Sequence, residues 1–169
     1  MTCGMARLQD DEQRSPAIRS VQVGEAGGLV DEARVTLALY GESLRPDEVS
    51  TLLGVQPTYT HQRGDLRKHT GTPHPQGAWV LTVEAMAPIG PDDLLAGLLR
   101  RLPVDRELWR NLRTTYEVKA VVAVFQRTWN RGFGLRAETI ASLDVAGIPI
   151  EFDLYYDGPD LLGDQVVKT

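Results

Sequence analysis

Three histidines, His61, His69 and His74, fall within THQRGDLRKHTGTPHPQGAW (residues 60–79), together with Arg63, Asp65, Arg67 and Lys68, and the chain has no other histidine. This set of side chains suggests metal ligation, acid–base chemistry or recognition of a charged partner. Neutral imidazole is a common metal ligand. Here the histidines are separated by seven and four residues, which matches neither ligands on adjacent helical turns nor a zinc-finger spacing. The Gly, Thr and Pro between them promise no element to hold a coordination geometry, so no metal site is expected. Asp65 orienting His61 or His69 is the least that a hydrolase or transferase acting on a small anionic substrate would need. No Gly-x-Ser-x-Gly elbow accompanies the pair, and Cys3 is expected in a flexible leader, where no neighbour can hold its thiolate. Following Gly64, Asp65 has a simpler use, as a turn carboxylate accepting backbone N–H groups.

A second loop, QRTWNRGFG (residues 126–134), places Trp129 beside Asn130, Arg131 and Phe133, an aromatic anchor with cations nearby. Gly132 and Gly134 lack the third glycine or the lysine of a phosphate cradle. If the two loops converge, Arg131 and Arg136 join Arg63, Arg67 and Lys68 in one basic area suited to an acidic partner or an anionic ligand. The candidate binding set is therefore His61, Arg63, Asp65, Arg67, Lys68, Trp129 and Arg131, with no catalytic residue and no cofactor expected.

These loops need a scaffold. A chain of 169 residues is long enough for one domain with a real core, and 42% hydrophobic with 24% charged residues is the balance of an ordinary globular domain. A net charge of −5 repels phosphate backbones, which argues against nucleic acid. No run approaches a membrane span. A single cysteine excludes an internal disulfide and fits a reducing cytoplasm, and Asp10, Asp11 and Glu12 stand where an export signal would be apolar.

Residues 1–31 are poor in large apolar side chains and read as a flexible leader, in which Ser20–Val23 could form a brief strand; 32–157 form the domain and 158–169 a tail. Val35, Leu37 and Leu39 alternate with Thr36, Ala38 and Tyr40, predicting a strand. Pro46, Asp47 and Glu48 open a helix with Val49, Leu52 and Leu53 inward, and Gly54 ends it. GAWVLTVEA is a second strand. Leu94, Leu95, Leu98, Leu99 and Leu102 mark a helix that Pro103 interrupts, followed by a shorter one over Asp105–Thr115. VKAVVAVF reads as the central, least exposed strand, LRAETIASLDVAG as a helix, and IPIEFDLYY as the last strand. Trp79 and Trp109 lie in phase with the core.

Leu44-Arg45-x-Asp47-x-Val49-x-x-Leu52 repeats 91 residues later as Leu135-Arg136-x-Glu138-x-Ile140-x-x-Leu143. Two β-α-β units with a helical pair between them predict an α+β fold, a ferredoxin-like split β-α-β arrangement whose mostly antiparallel sheet carries its helices on one face. Glu151, Asp153 and Tyr155 would then lie on the open face, an acidic surface unlike an RNA-reading sheet.

LYGESLRPDEVSTLLGVQPT, then RGD, GAW, GFGLRAETIASL and IEFDLYY, resemble in order and spacing the bacterial domain of unknown function 4279, over roughly Ala33 to Tyr156. The shared positions are the entry of the first helix, Gln56-Pro57-Thr58, Gly64-Asp65, Gly77 with Trp79, and the leucine-bearing third helix. The resemblance implies a small soluble protein and no established reaction; a regulatory or immunity-type role is compatible with it. The residues themselves favour a non-catalytic binding module of the cytoplasm that recognises a protein partner or a small anionic ligand through loops 59–78 and 127–134. The alternatives are a small enzyme using His61 or His69 with Asp65, and a homodimerising unit that associates through its open sheet face.

Overall fold

The computed structural model describes residues 28–128 and 130–158. The chain runs β1 (Glu32–Gly41), α1 (Pro46–Leu53), β2 (Tyr59–His61), β3 (Gly77–Met86), α2 (Pro91–Leu99), α3 (Arg106–Thr115), β4 (Glu117–Gln126), α4 (Ala137–Ala146) and β5 (Ile150–Tyr156). Alternation places Ala33, Val35, Leu37 and Leu39 of β1 on the side that the helices cover. The register sets Leu37 beside Leu81 of β3 and Ala120 of β4, so one apolar face continues across the three strands. Trp79 and Trp109 are both in the core, and each satisfies its indole N–H there, donating to Ser50 Oγ at 3.0 Å and to the Pro103 carbonyl at 2.9 Å.

The sheet is mixed but mostly antiparallel, in the order β2-β3-β1-β4-β5, with only β4 and β5 parallel. Because β3 lies between β1 and β2, and β1 between β3 and β4, the first four strands contain two split β-α-β crossovers, compatible with the expected ferredoxin-like arrangement. The second strand of that arrangement is β2, inside the histidine-bearing segment, so GAWVLTVEA is its third strand, and β5 is added beside β4. The middle of the sheet is β1 rather than β4, which is internal and flanked by β1 and β5.

Helix ends follow local chemistry. Pro46 and Pro91 each stand in a first turn with acidic neighbours, and Gly54 and Gly147 close α1 and α4 at φ 68° and 59°. Asp105 caps α3 by accepting from the N–H groups of Glu107 and Leu108. Leu52 is half exposed, and α1 instead buries Pro46, Val49, Ser50 and Leu53. Val30, assigned to the leader by composition, is buried; Asp31 beside it donates its N–H to the Phe125 carbonyl and accepts the Arg127 N–H on its carboxylate. Residues 1–27, with Cys3 and the expected strand at Ser20–Val23, lie outside the described residues, as does the tail beyond Gly158.

Candidate functional site

The segment between β2 and β3 has an architecture of its own. Thr58 leads into β2 with its N–H and hydroxyl both donating to the Val80 carbonyl, while its hydroxyl oxygen accepts the Thr82 N–H. Beyond His61 the chain doubles back. Gly64 N–H donates to the His74 carbonyl (2.9 Å), His74 N–H to the Asp65 carbonyl (2.8 Å) and Arg67 N–H to the Thr72 carbonyl (3.0 Å). Gly64 (φ 91°) and Gly71 (φ 65°) supply the left-handed conformations this path requires. The expectation that nothing holds this region is therefore corrected: it is a bonded hairpin whose glycines act as its corners.

That geometry assigns the candidate residues separate tasks. Asp65 Oδ2 accepts the Gln62 N–H at 2.7 Å, the turn role expected of it. His61 stacks on His74 with centroids 3.5 Å apart, and neither His61 nor His69 is hydrogen-bonded to Asp65 among the described residues. Burial first, and then the neighbouring His74, hold the His61 pKa below its ordinary value, with the Gln76 backbone and, after it, the Asp65 carboxylate pulling the other way. Arg63 pairs with Glu42 at 2.8 Å, whereas Arg67 and Lys68 stand exposed at the hairpin tip without a carboxylate partner among the described residues.

The other loop is elsewhere. The hairpin leads into Gly77 at the start of β3, beside Gly41 at the end of β1, while residues 127–134 follow the end of β4, beside Glu32 at the start of β1. Ten-residue strands separate these ends by roughly 30 Å, so the two loops do not form one basic site. Arg131 Nε donates to Thr128 Oγ1 at 2.6 Å, and its guanidinium lies over Gly28. Trp129 lies outside the described residues. Arg136 is neutralised, pairing with Asp92 and, at 2.7 Å, with Asp93.

This last cluster borders a cleft of about 710 Å³ between α2, the Leu102–Val104 connection and α4. Its walls are Ala96, Leu99, Leu102, Ala141 and Val145, with Arg100 on the rim. Asp92 accepts the Arg136 N–H at 3.0 Å and thereby joins the N-termini of α2 and α4. Burial pushes the Asp92 carboxyl up, but the Arg136 backbone, the Thr139 hydroxyl and the Arg136 guanidinium together outweigh it and leave the pKa below the usual aspartate value. With the two helix starts held side by side, Arg100, just past the last residue of α2, lies at the far end of the cleft from Glu138 in the first turn of α4. Arg100 has no ion-pair partner among the described residues.

Residues 31–157 match the family model of the domain of unknown function DUF4279. The chain belongs to this family. No curated protein and no solved structure matches it. The positions that carry the family likeness are structural in this chain. A Cβ on Gly77 would meet the Leu44 carbonyl oxygen at 2.7 Å, Trp79 fills the core, and Thr58 and Asp65 shape the two ends of the β2 turn. Among the described residues no helix is long and apolar enough to cross a membrane, and no group of three or more His, Cys, Asp or Glu is placed to hold a metal.

Sequence reasoning did not find the cleft. Its residues come from three segments, and each reads locally as helix surface or connection. The one available signal was small residues on facing helices, Ala96 on α2 and Ala141 on α4, which leave space where larger side chains would fill it.

Proposed function

We propose that this protein is a non-catalytic binding module, and that it takes a small anionic ligand with an apolar body in the cleft between α2 and α4. The observation that carries this reading is an apolar cleft of about 710 Å³ whose rim holds an uncompensated cation, Arg100. Ligand sites commonly enclose ~300–1,000 Å³ and combine apolar walls with a few polar groups that fix orientation. Leu99, Leu102, Ala141 and Val145 would cover the apolar body, and Arg100 would receive the charged head away from Glu138. The binding role expected from the loops is kept, and its place moves to the helical layer. The turn duty of Asp65 and the stacking of His61 on His74 support this reading over acid–base chemistry in the hairpin.

Titration with 8-anilinonaphthalene-1-sulfonate, aromatic rings bearing one sulfonate, tests it, alongside the uncharged N-phenyl-1-naphthylamine. Saturable binding at one site is expected. Ala141→Trp, which fills the wall, should weaken both probes about tenfold or more, the equivalent of ~1.4 kcal/mol. Arg100→Glu should weaken only the sulfonate. Both residues are exposed, so the thermal midpoint should stay within a few degrees. Unchanged affinity in both variants would remove the cleft as the site.

A further inference from the structure

The α2–α4 cleft has few polar groups left to offer a ligand. Trp109 lies in its wall, but its indole N–H is already given to the Pro103 carbonyl at 2.9 Å. The Ser142 hydroxyl donates to the Glu138 carbonyl at 2.8 Å, one turn back along α4, and the Thr139 hydroxyl is hydrogen-bonded to the Asp92 carboxylate. A hydroxyl or amide in the body of a ligand would therefore give up its bonds to water and find no free side-chain donor in the middle of the cleft, which weakens binding about tenfold or more for each such group. Two charged groups keep capacity to spare. Arg100 and Glu138 line opposite ends of the cleft, and neither has an ion-pair partner among the described residues. Around Glu138 the balance is acidic: Asp92, Asp93 and Glu138 stand against the one guanidinium of Arg136, a net charge of −2 from three carboxylates and one cation. From Glu138 to Ala146 the wall follows eight residues of α4, a length of about 12 Å.

We propose that the cleft selects hydrophobic monocarboxylic acids: one carboxylate at Arg100, a hydrocarbon body without hydrogen-bonding groups along the wall, and an uncharged far end beside Glu138. The inference rests on the cleft being the binding site and adds the ligand class it takes. A carboxylate matches a single guanidinium in charge and, bidentate, in shape, whereas a phosphate monoester brings close to two negative charges to one cation. Sugars, nucleotides and peptides carry polar groups along their bodies, where Trp109, Ser142 and Thr139 have no donor to spare. Dicarboxylates fail at the other end, because a second carboxylate would meet Glu138 in a neighbourhood that is already acidic. Across a wall of this length an extended chain of about ten carbons reaches from one end to the other.

The test is displacement of N-phenyl-1-naphthylamine from the full chain by decanoate, by 1-decanol, which lacks the head, by decanedioate, which has a second one, and by gluconate, which joins the same head to a polyol. Decanoate should displace the dye at a concentration at least about tenfold below that needed of 1-decanol or decanedioate, and gluconate should not displace it. Arg100→Gln should bring decanoate level with 1-decanol, and Glu138→Gln should narrow the gap between decanoate and decanedioate; both substitutions are at exposed positions. Equal displacement by 1-decanol and decanoate overturns the carboxylate head, equal displacement by decanedioate overturns the uncharged far end, and displacement by gluconate overturns the hydrocarbon body. In each of those cases dye binding that Ala141→Trp weakens leaves the cleft standing as the site. A dye that does not bind, or that binds equally well to Ala141→Trp, removes the cleft itself and this ligand class with it.

Discussion

His61 is placed to respond to pH in this fold. Its ring is part-buried and stacked on His74 at 3.5 Å, and both features oppose a positive charge: burial removes water, and a protonated His74 would repel a second cation. Since the folded pKa lies below that of the unfolded chain, the unfolded chain binds the proton first as pH falls. The contribution of His61 to stability is then complete above the ordinary histidine value and is lost as pH drops from there through the depressed one. Imidazole resonances in an NMR titration should give His61 a midpoint below about 6.5, moving up towards it in His74→Ala. Loss of the Gly64–His74 and His74–Asp65 backbone bonds should accompany protonation, seen as faster amide exchange at Gly64 and His74. A His61 midpoint at or above the ordinary value, unaffected by His74→Ala, would show that the stack exerts no such control.

At the scale of elements, Asp92 has the most consequential placement, since it ties the start of α2 to the start of α4 through the Arg136 N–H and guanidinium. Its folded pKa is below the unfolded value, so its contribution is present above the ordinary aspartate range and is lost as pH falls through the depressed value. Asp92→Ala leaves the Arg136 N–H unpaired and should cost about 1–3 kcal/mol, with a fall in Tm of roughly 3–10 °C. Calorimetry at neutral pH should show this difference, and acidification below the aspartate range should shrink it; a neutral-pH Tm equal to wild type would mean that the helices hold their positions without the clamp. The sequence displayed the parts of this contact but not the contact. Arg136 was visible as a cation after a glycine-rich loop and Asp92 as an acidic helix entry, 44 residues apart with nothing local to link them. By contrast β1 and β3 were legible because alternation is a local property, β4 because its near-continuous apolar, β-branched run is, and so were the Pro and Gly boundaries of α1. β2 escaped notice because three residues, Tyr59, Thr60 and His61, are too few to show a period.

For the whole molecule, strand order determines which part opens last. β1 pairs along its whole length with β3 on one side and over nine positions with β4 on the other, and its Ala33, Val35, Leu37 and Leu39 side chains are at most 1% exposed. The hairpin beyond β2 is held by few bonds, its side chains face solvent, and it hangs from a strand pair only three residues long. Local opening costs least where few buried contacts are lost, and approaches the global unfolding free energy where the core itself must part. Native-state hydrogen exchange should therefore find the slowest amides in β1, with those of Val35, Leu37 and Leu39 reporting global unfolding, and the hairpin amides of residues 64–74 exchanging at least about a hundredfold faster, a gap of ~2.7 kcal/mol. Trp79→Leu, at a fully buried position, should accelerate exchange in β1 by lowering global stability and leave the hairpin rates nearly unchanged, since those amides exchange through a separate local opening. Equal protection in β1 and the hairpin, or a parallel response of both to Trp79→Leu, would mean that the segment carrying all three histidines is part of the cooperative core; its conformation could not then be altered without unfolding the sheet.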